Sequence, residues 1–153
     1  MARQGIEGIL NYLPISEAIG TAGQPSEAQF AAIRAAGYEA VVNLAMPDSS
    51  NALPDEGELA AGQGMDYVRI PVLWDAPTMA DLARFFAVMD GYRDKKVLVH
   101  CAVNMRVSVF VLLYRVLRLG VPLGEARKDM LKIWEPNEVW QSFMEDALAG
   151  RWT

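Results

Sequence analysis

The 153-residue sequence predicts a single α/β domain spanning 1–153, with a central, mainly parallel sheet of four to five strands and helices on both faces. Three observations predict it. Short β-branched runs alternate with helical patterns through the first two thirds of the chain, as strand–helix–strand units require. Glycines stop the helical patterns just ahead of two of those runs, Gly37 before residues 40–44 and Gly64 before residues 65–71. A content of 52% hydrophobic and 22% charged residues suits one buried core at this length.

In chain order, residues 9–23 read as one or two short strands ahead of Gly23. Ser26 and Gln29 form a capping-box pattern after Pro25, and Phe30 and Ile33 carry a helical period to Ala36, giving a helix over 27–36. AVVNL at 40–44 is a buried strand, the polar segment 46–54 a loop, 56–61 a short helix, and 65–71 a strand that ends at Pro71. Residues 72–77 read as a surface loop. Thr78 with Asp81 marks a helix start, and Leu82, Phe85, Phe86 and Met89 share one face of a helix over 79–91. A strand follows at 96–100, then an apolar helix at 107–118 closed by Gly120. Two more helices, 123–133 and 138–148, complete the chain, the second capped by Asn137 and stopped by Gly150. Leu131, Ile133, Trp134, Val139, Trp140, Phe143 and Met144 supply their packing.

Bulk properties exclude several functions. A net charge of −5 argues against nonspecific binding to nucleic acid or an anionic membrane, so any anion must be captured locally. The longest purely apolar run, 109–114, is far too short to span a bilayer, and no signal-peptide pattern follows Met1, which points to the cytoplasm. One cysteine cannot close an intrachain disulfide, and with one histidine it cannot build a structural zinc site; no cofactor is expected.

The chemistry concentrates in KVLVHCAVNMRVS, residues 96–108. Val97, Leu98 and Val99 deliver His100 and Cys101 to the end of a buried strand, and a helix opens near Arg106. Backbone N–H groups at a helix N-terminus, the helix dipole and a guanidinium together make an anion site. The same field favours the thiolate of Cys101, the nucleophilic form. Asn104 suits a left-handed backbone position, which asparagine tolerates better than most residues.

VHC, a short loop, an arginine and a helix resemble the cysteine-dependent protein phosphatases of the tyrosine and dual-specificity group. TAGQPS, GYEAVVNL and IPVLWDAPT resemble the small bacterial phosphatase-like proteins related to them, over roughly residues 18–118. The resemblance implies thiolate attack on a phosphate monoester, a cysteinyl-phosphate intermediate and hydrolysis without metal. Cys101 is then the nucleophile. The backbone of Ala102, Val103, Asn104, Met105 and Val107 holds the phosphate, Arg106 binds two of its oxygens, and Ser108 assists the thiolate. His100 orients the loop. Asp75 is the best candidate for the proton donor to the leaving alcohol, ahead of Asp48 and Asp55, and Trp74 beside it either walls the pocket or packs on the sheet. The expected substrate is a phosphorylated protein or small molecule, with no nucleic acid or membrane partner and an undetermined oligomeric state.

One feature departs from that pattern. The phosphatase signature places five residues between cysteine and arginine, commonly with glycine, whereas four without glycine intervene here. Four is the loop size of rhodanese-like sulfurtransferases, so a persulfide carrier, or a catalytically weak anion-binding or redox-sensing domain, stays open at the level of sequence.

Overall fold

Four strands form where the sequence concentrates apolar and β-branched residues: β2 (Ile19–Ala22), β3 (Ala40–Asn43), β4 (Asp66–Arg69) and β5 (Val97–His100). They run parallel. A two-residue strand, β1 (Leu13–Pro14), joins antiparallel at the edge, where a proline without an N–H is tolerated. The strand order is β1-β2-β5-β3-β4. These relations come from a computed structural model that describes residues 5–152. The expected domain span of 1–153 therefore includes residues 1–4 and 153, which lie outside the described residues.

β5 is the middle strand. Its last residue, His100, lies level with Ala22 of β2 and Asn43 of β3, and Asn43 lies level with Arg69 of β4. Parallel strands in register present all their carboxyl ends on one side, which is where sites form in such sheets.

Alternation along the strands assigns the two faces. Val97 and Val99, with Ala40 and Val42, pack against Phe85 of α3 (Met79–Gly91), Phe110 of α4 (Met105–Leu117), and Trp140 and Phe143 of α6 (Glu138–Leu148). Leu98 and Val41 face the other way, onto Phe30 and Ile33 of α1 (Gln29–Ala35), Tyr38, and Ala60 of α2 (Glu56–Gly62). Each large side chain buried here contributes about 1.5–3 kcal/mol. His100 and Asn43 lie two residues beyond Leu98 and Val41, so they share the α1/α2 face. α4 is buried almost all round from Arg106 to Arg115, the signature of a central helix, and α5 (Leu123–Leu131) packs beside it.

The capping residues behave as expected: Thr78 Oγ1 accepts from the Asp81 N–H at 3.1 Å, and Asn137 Oδ1 accepts from the Trp140 N–H at 3.0 Å. The strand expected over 65–71 is confined to Asp66–Arg69, several other ends shift by one residue, and three helix boundaries differ by two. α1 opens at Gln29 instead of 27, because residues 27–28 form a turn in which Gln29 Oε1 accepts from the Ser26 N–H at 2.8 Å. α5 ends at Leu131 and not at 133. α4 opens at Met105, two residues earlier than 107, because Asn104 turns the chain directly into the helix. Among the described residues no helix is long and apolar enough to cross a membrane.

Candidate active site

Cys101 follows β5 directly. It is 1% exposed, and its N–H donates to the Ala22 carbonyl at 3.3 Å, extending the β2–β5 pairing by one residue. The chain then leaves the sheet through 102–104 and enters α4 at Met105. Asn104 makes the corner with φ 74° and ψ 1°, the left-handed conformation expected of it. Its Nδ2 donates to the Asn11 carbonyl at 2.9 Å and to Thr21 Oγ1 at 3.1 Å, which ties the corner to the β1–β2 region.

The orientation of the loop amides follows from what holds the loop carbonyls. In a trans peptide the C=O and the following N–H point in opposite directions. The Cys101 carbonyl faces His100 Nδ1 at 3.3 Å. The Ala102 carbonyl accepts from the Gln24 N–H at 3.0 Å and from Asn51 Nδ2 at 3.1 Å. The Val103 carbonyl accepts from Asn11 Nδ2 at 3.0 Å. The N–H groups of Ala102, Val103 and Asn104 are thereby turned the other way. Together with those of Met105, Arg106 and Val107 they donate to no protein acceptor among the described residues. Six free N–H groups at the start of a helix form a nest for an anion.

Gly23 permits this arrangement. A Cβ at that position would lie 2.8 Å from the Ala102 carbonyl oxygen, so only glycine lets the end of β2 pass so close to the loop. The glycine and glutamine of the TAGQPS stretch thus both serve the cysteine loop.

Arg106 is 7% exposed, and its Nη1 donates to the Val72 carbonyl at 2.8 Å. No carboxylate lies within 4.0 Å of its guanidinium among the described residues. A buried cation without a counter-charge is costly unless an anion completes it.

His100 is fully buried and its Nε2 lies 2.5 Å from Glu56 Oε2. Glu56, on the first turn of α2, is itself 1% exposed and also accepts from Gln24 Nε2 at 2.7 Å. Asn43 Nδ2 reaches it at 3.4 Å and the Tyr67 hydroxyl at 3.1 Å, and Arg69 in turn donates to that hydroxyl. Burial pushes the Glu56 carboxyl up, but the hydrogen bond and charge of His100, the Gln24 amide and the charge of Arg69 outweigh it, so Glu56 titrates below the usual glutamate range. His100 thus lies between the Cys101 carbonyl and Glu56, in a buried polar network.

Removing Glu56 with alanine strands the donors of His100, Gln24 and Asn43 and is expected to cost about 3–5 kcal/mol, read as a lower denaturant midpoint. Because the folded carboxyl titrates low, the stability its ionised form contributes is complete above the ordinary glutamate range and is lost as pH falls through the lowered value. Acidification from neutral pH to about pH 3 should cost the wild type more stability than it costs Glu56→Gln.

The other expected site residues are placed as follows. Asp75 is exposed, in a turn of the loop after β4, with no hydrogen-bond partner among the described residues. Asp48 and Asp55 are exposed in the loop between β3 and α2. Trp74 is 41% exposed, and its ring packs on Trp134 and Trp140, from the α5–α6 region and not the sheet, at centroid distances of 5.3 and 5.9 Å. The Ser108 hydroxyl is directed elsewhere than the Cys101 sulfur. It donates to the Met105 carbonyl at 2.6 Å and accepts from Trp134 Nε1 at 2.9 Å. Sequence reasoning missed Asn11, Gln24, Asn51 and Glu56. Of these only Gln24 carried a signal, its place in TAGQPS.

The family model described as "DSP-PTPase phosphatase fused to NAD+ Kinase" matches residues 14–142. A DUF442 protein of Shewanella putrefaciens CN-32, named as a candidate phosphatase, is 35% identical over 95% of this chain and 95% of its own, with a TM-score of 0.86. Two more distant structures share the fold. TpbA of Pseudomonas aeruginosa, solved with pTyr, is 18% identical over 92% of this chain and 82% of its own (TM-score 0.66). The core catalytic domain of the PP-IP phosphatase SIW14 of Saccharomyces cerevisiae is 13% identical over 94% and 90% (TM-score 0.73). No curated protein sequence matches the chain. None of these relatives is a sulfurtransferase, so that reading finds no support. With the family match over 14–142 and 35% identity along nearly the whole chain to the Shewanella protein, this chain belongs to the dual-specificity-type cysteine phosphatases, in the family described as DSP-PTPase phosphatase fused to NAD+ kinase.

Proposed function

We propose that the protein hydrolyses phosphate monoesters through Cys101, with Arg106 and the 102–107 amides holding the phosphoryl oxygens and Asp75 as proton donor. The observation that carries the reading is the pairing of six loop amides with a buried guanidinium, the amides unengaged and the guanidinium without a carboxylate partner among the described residues. In the first step the Cys101 thiolate attacks phosphorus, the ester P–O bond breaks, and the Asp75 proton passes to the leaving oxygen. In the second, water attacks the cysteinyl-phosphate, its proton returns to Asp75, and phosphate leaves as the thiolate reforms. The guanidinium and the amides face charge that spreads over the equatorial oxygens as the P–O bond breaks.

Within the expected substrates, a phosphorylated protein or small molecule, an aryl phosphate such as phosphotyrosine is favoured by the half-exposed indole of Trp74 next to Asp75. A bacterial, cytoplasmic setting belongs to the same proposal, and the 35% identical relative comes from a bacterium.

The test is hydrolysis of p-nitrophenyl phosphate in the presence of a chelator, across about pH 5–8. Turnover that inorganic phosphate inhibits competitively is expected, and no turnover of any aryl phosphate would contradict the reading. Asp75→Asn should lower kcat for a phosphate ester with a poor leaving group by about 10²–10⁴-fold and flatten the fall in kcat as pH rises, because the lost group acts in its protonated form. An unchanged pH profile would remove Asp75 from the mechanism.

A further inference from the structure

Among the described residues the Asp75 side chain has no hydrogen-bond partner, yet the stretch of loop leading into it is fastened at two points. Arg106 holds the Val72 carbonyl. Trp140 Nε1 donates to the Trp74 carbonyl at 2.8 Å, one residue before Asp75. Trp140 is a rigid anchor. It is fully buried, its N–H is capped by Asn137, and its ring packs on Phe110 at 6.1 Å and Phe143 at 5.6 Å. The Trp74 ring is in turn covered by Trp134 and Trp140 together. Trp134 extends the fastening to the phosphate side, because its own N–H ends on Ser108 in the first turns of α4.

Trp134, between α5 and α6, and Trp140, on α6, therefore connect the C-terminal helical pair to the Ser108 hydroxyl and to the Trp74 carbonyl. A loop held at the carbonyls of both Val72 and Trp74 has little freedom left at Asp75, and a proton donor must be held within a few tenths of an ångström to act. The donor of the hydrogen bond to Trp74 is buried, and the Trp74 ring itself packs at a tilt on two further indoles. Loss of the indole N–H leaves a carbonyl without its partner and frees the turn.

We infer that Trp140, supported by Trp134, is a positioning residue for Asp75: the C-terminal helical pair sets where the proton donor stands. The inference rests on the proposed phosphatase reading and deepens it. Its test compares two esters, p-nitrophenyl phosphate, whose leaving group needs little protonation, and phenyl phosphate, whose leaving group needs more. Trp140→Phe keeps a ring and removes the N–H. It should lower kcat for phenyl phosphate by about 10–100-fold, turn over p-nitrophenyl phosphate at close to the wild-type rate, and leave KM for both unchanged. Adding Asp75→Asn to Trp140→Phe should lower phenyl phosphate turnover no further than Asp75→Asn alone.

Equal losses on the two esters, additive losses in the double variant, or no loss at all would overturn the positioning role while Asp75→Asn still discriminates between the esters. If Asp75→Asn itself fails to discriminate, the proton-donor assignment falls and the inference with it. Should Trp140→Phe not fold, Trp134→Ala carries the test from a half-buried position with the same expected split between esters.

Discussion

Cys101→Ser abolishes phosphate-ester hydrolysis, with a loss of at least about 10⁴-fold in kcat expected from removal of a covalent nucleophile. Serine is nearly isosteric, and the exchange leaves the backbone N–H to Ala22 and the carbonyl near His100 in place. The loop amides and Arg106 are untouched by the exchange, so affinity for phosphate should survive. The measurement is paired: initial rates with p-nitrophenyl phosphate, and calorimetric binding of inorganic phosphate or tungstate to the variant. Retained binding with lost turnover assigns chemistry to the sulfur. Turnover at more than a hundredth of the wild-type rate would show that another group attacks phosphorus.

Arg106→Ala carries the second largest effect, a loss of about 10³–10⁵ in kcat/KM, the range for removing a guanidinium from a transferring phosphoryl group. Arg106→Lys should recover only part of it, because an ammonium offers a point charge where the guanidinium offers a planar fork to two oxygens. The stability effect is expected to run opposite to the activity effect. Among the described residues Arg106 is a buried cation without a carboxylate partner, its side chain held by one hydrogen bond to Val72. A residue retained for binding an anion is a burden when the anion is absent, so Arg106→Met should unfold at the wild-type Tm or above it. A fall of several degrees in the Met variant, with activity kept in the Ala variant, would make Arg106 a structural residue.

The four-residue gap between Cys101 and Arg106 is the main obstacle to reading function from sequence, and the loop that spans it has a definite form. Asn104 supplies the left-handed corner, α4 opens two residues earlier than its apolar pattern suggests, and the loop carbonyls are held from outside by Gln24, Asn51 and Asn11. The corner was legible because asparagine has a known tolerance for positive φ. The carbonyl clamps were not. Asn11 and Asn51 lie 92 and 51 residues from the atoms they hold, and nothing local distinguishes them from ordinary turn asparagines.

Strands and helices were legible wherever burial has a period, as in α3, whose apolar face and Thr78 cap both appear as read. The site network was not, because a buried carboxylate such as Glu56 is indistinguishable in sequence from the solvated glutamates around it. Only its position under His100, set by the parallel register of β3 and β5 and by the approach of α2, makes it structural. Trp140 lies in the core, as its spacing suggests, and Trp134 is half-buried against it. Their N–H bonds to Ser108 and to the Trp74 carbonyl depend on the packing of α5 and α6 against α4.

The central claim is that phosphorus passes through the Cys101 sulfur. Mixing the wild-type enzyme with excess p-nitrophenyl phosphate, quenching in acid within the first turnovers and mapping peptides by mass spectrometry tests it most directly. The account predicts one added phosphoryl group on the peptide containing Cys101, absent from the Cys101→Ser variant. A phosphoryl group on a different residue, or steady turnover with none trapped on any peptide, would contradict it.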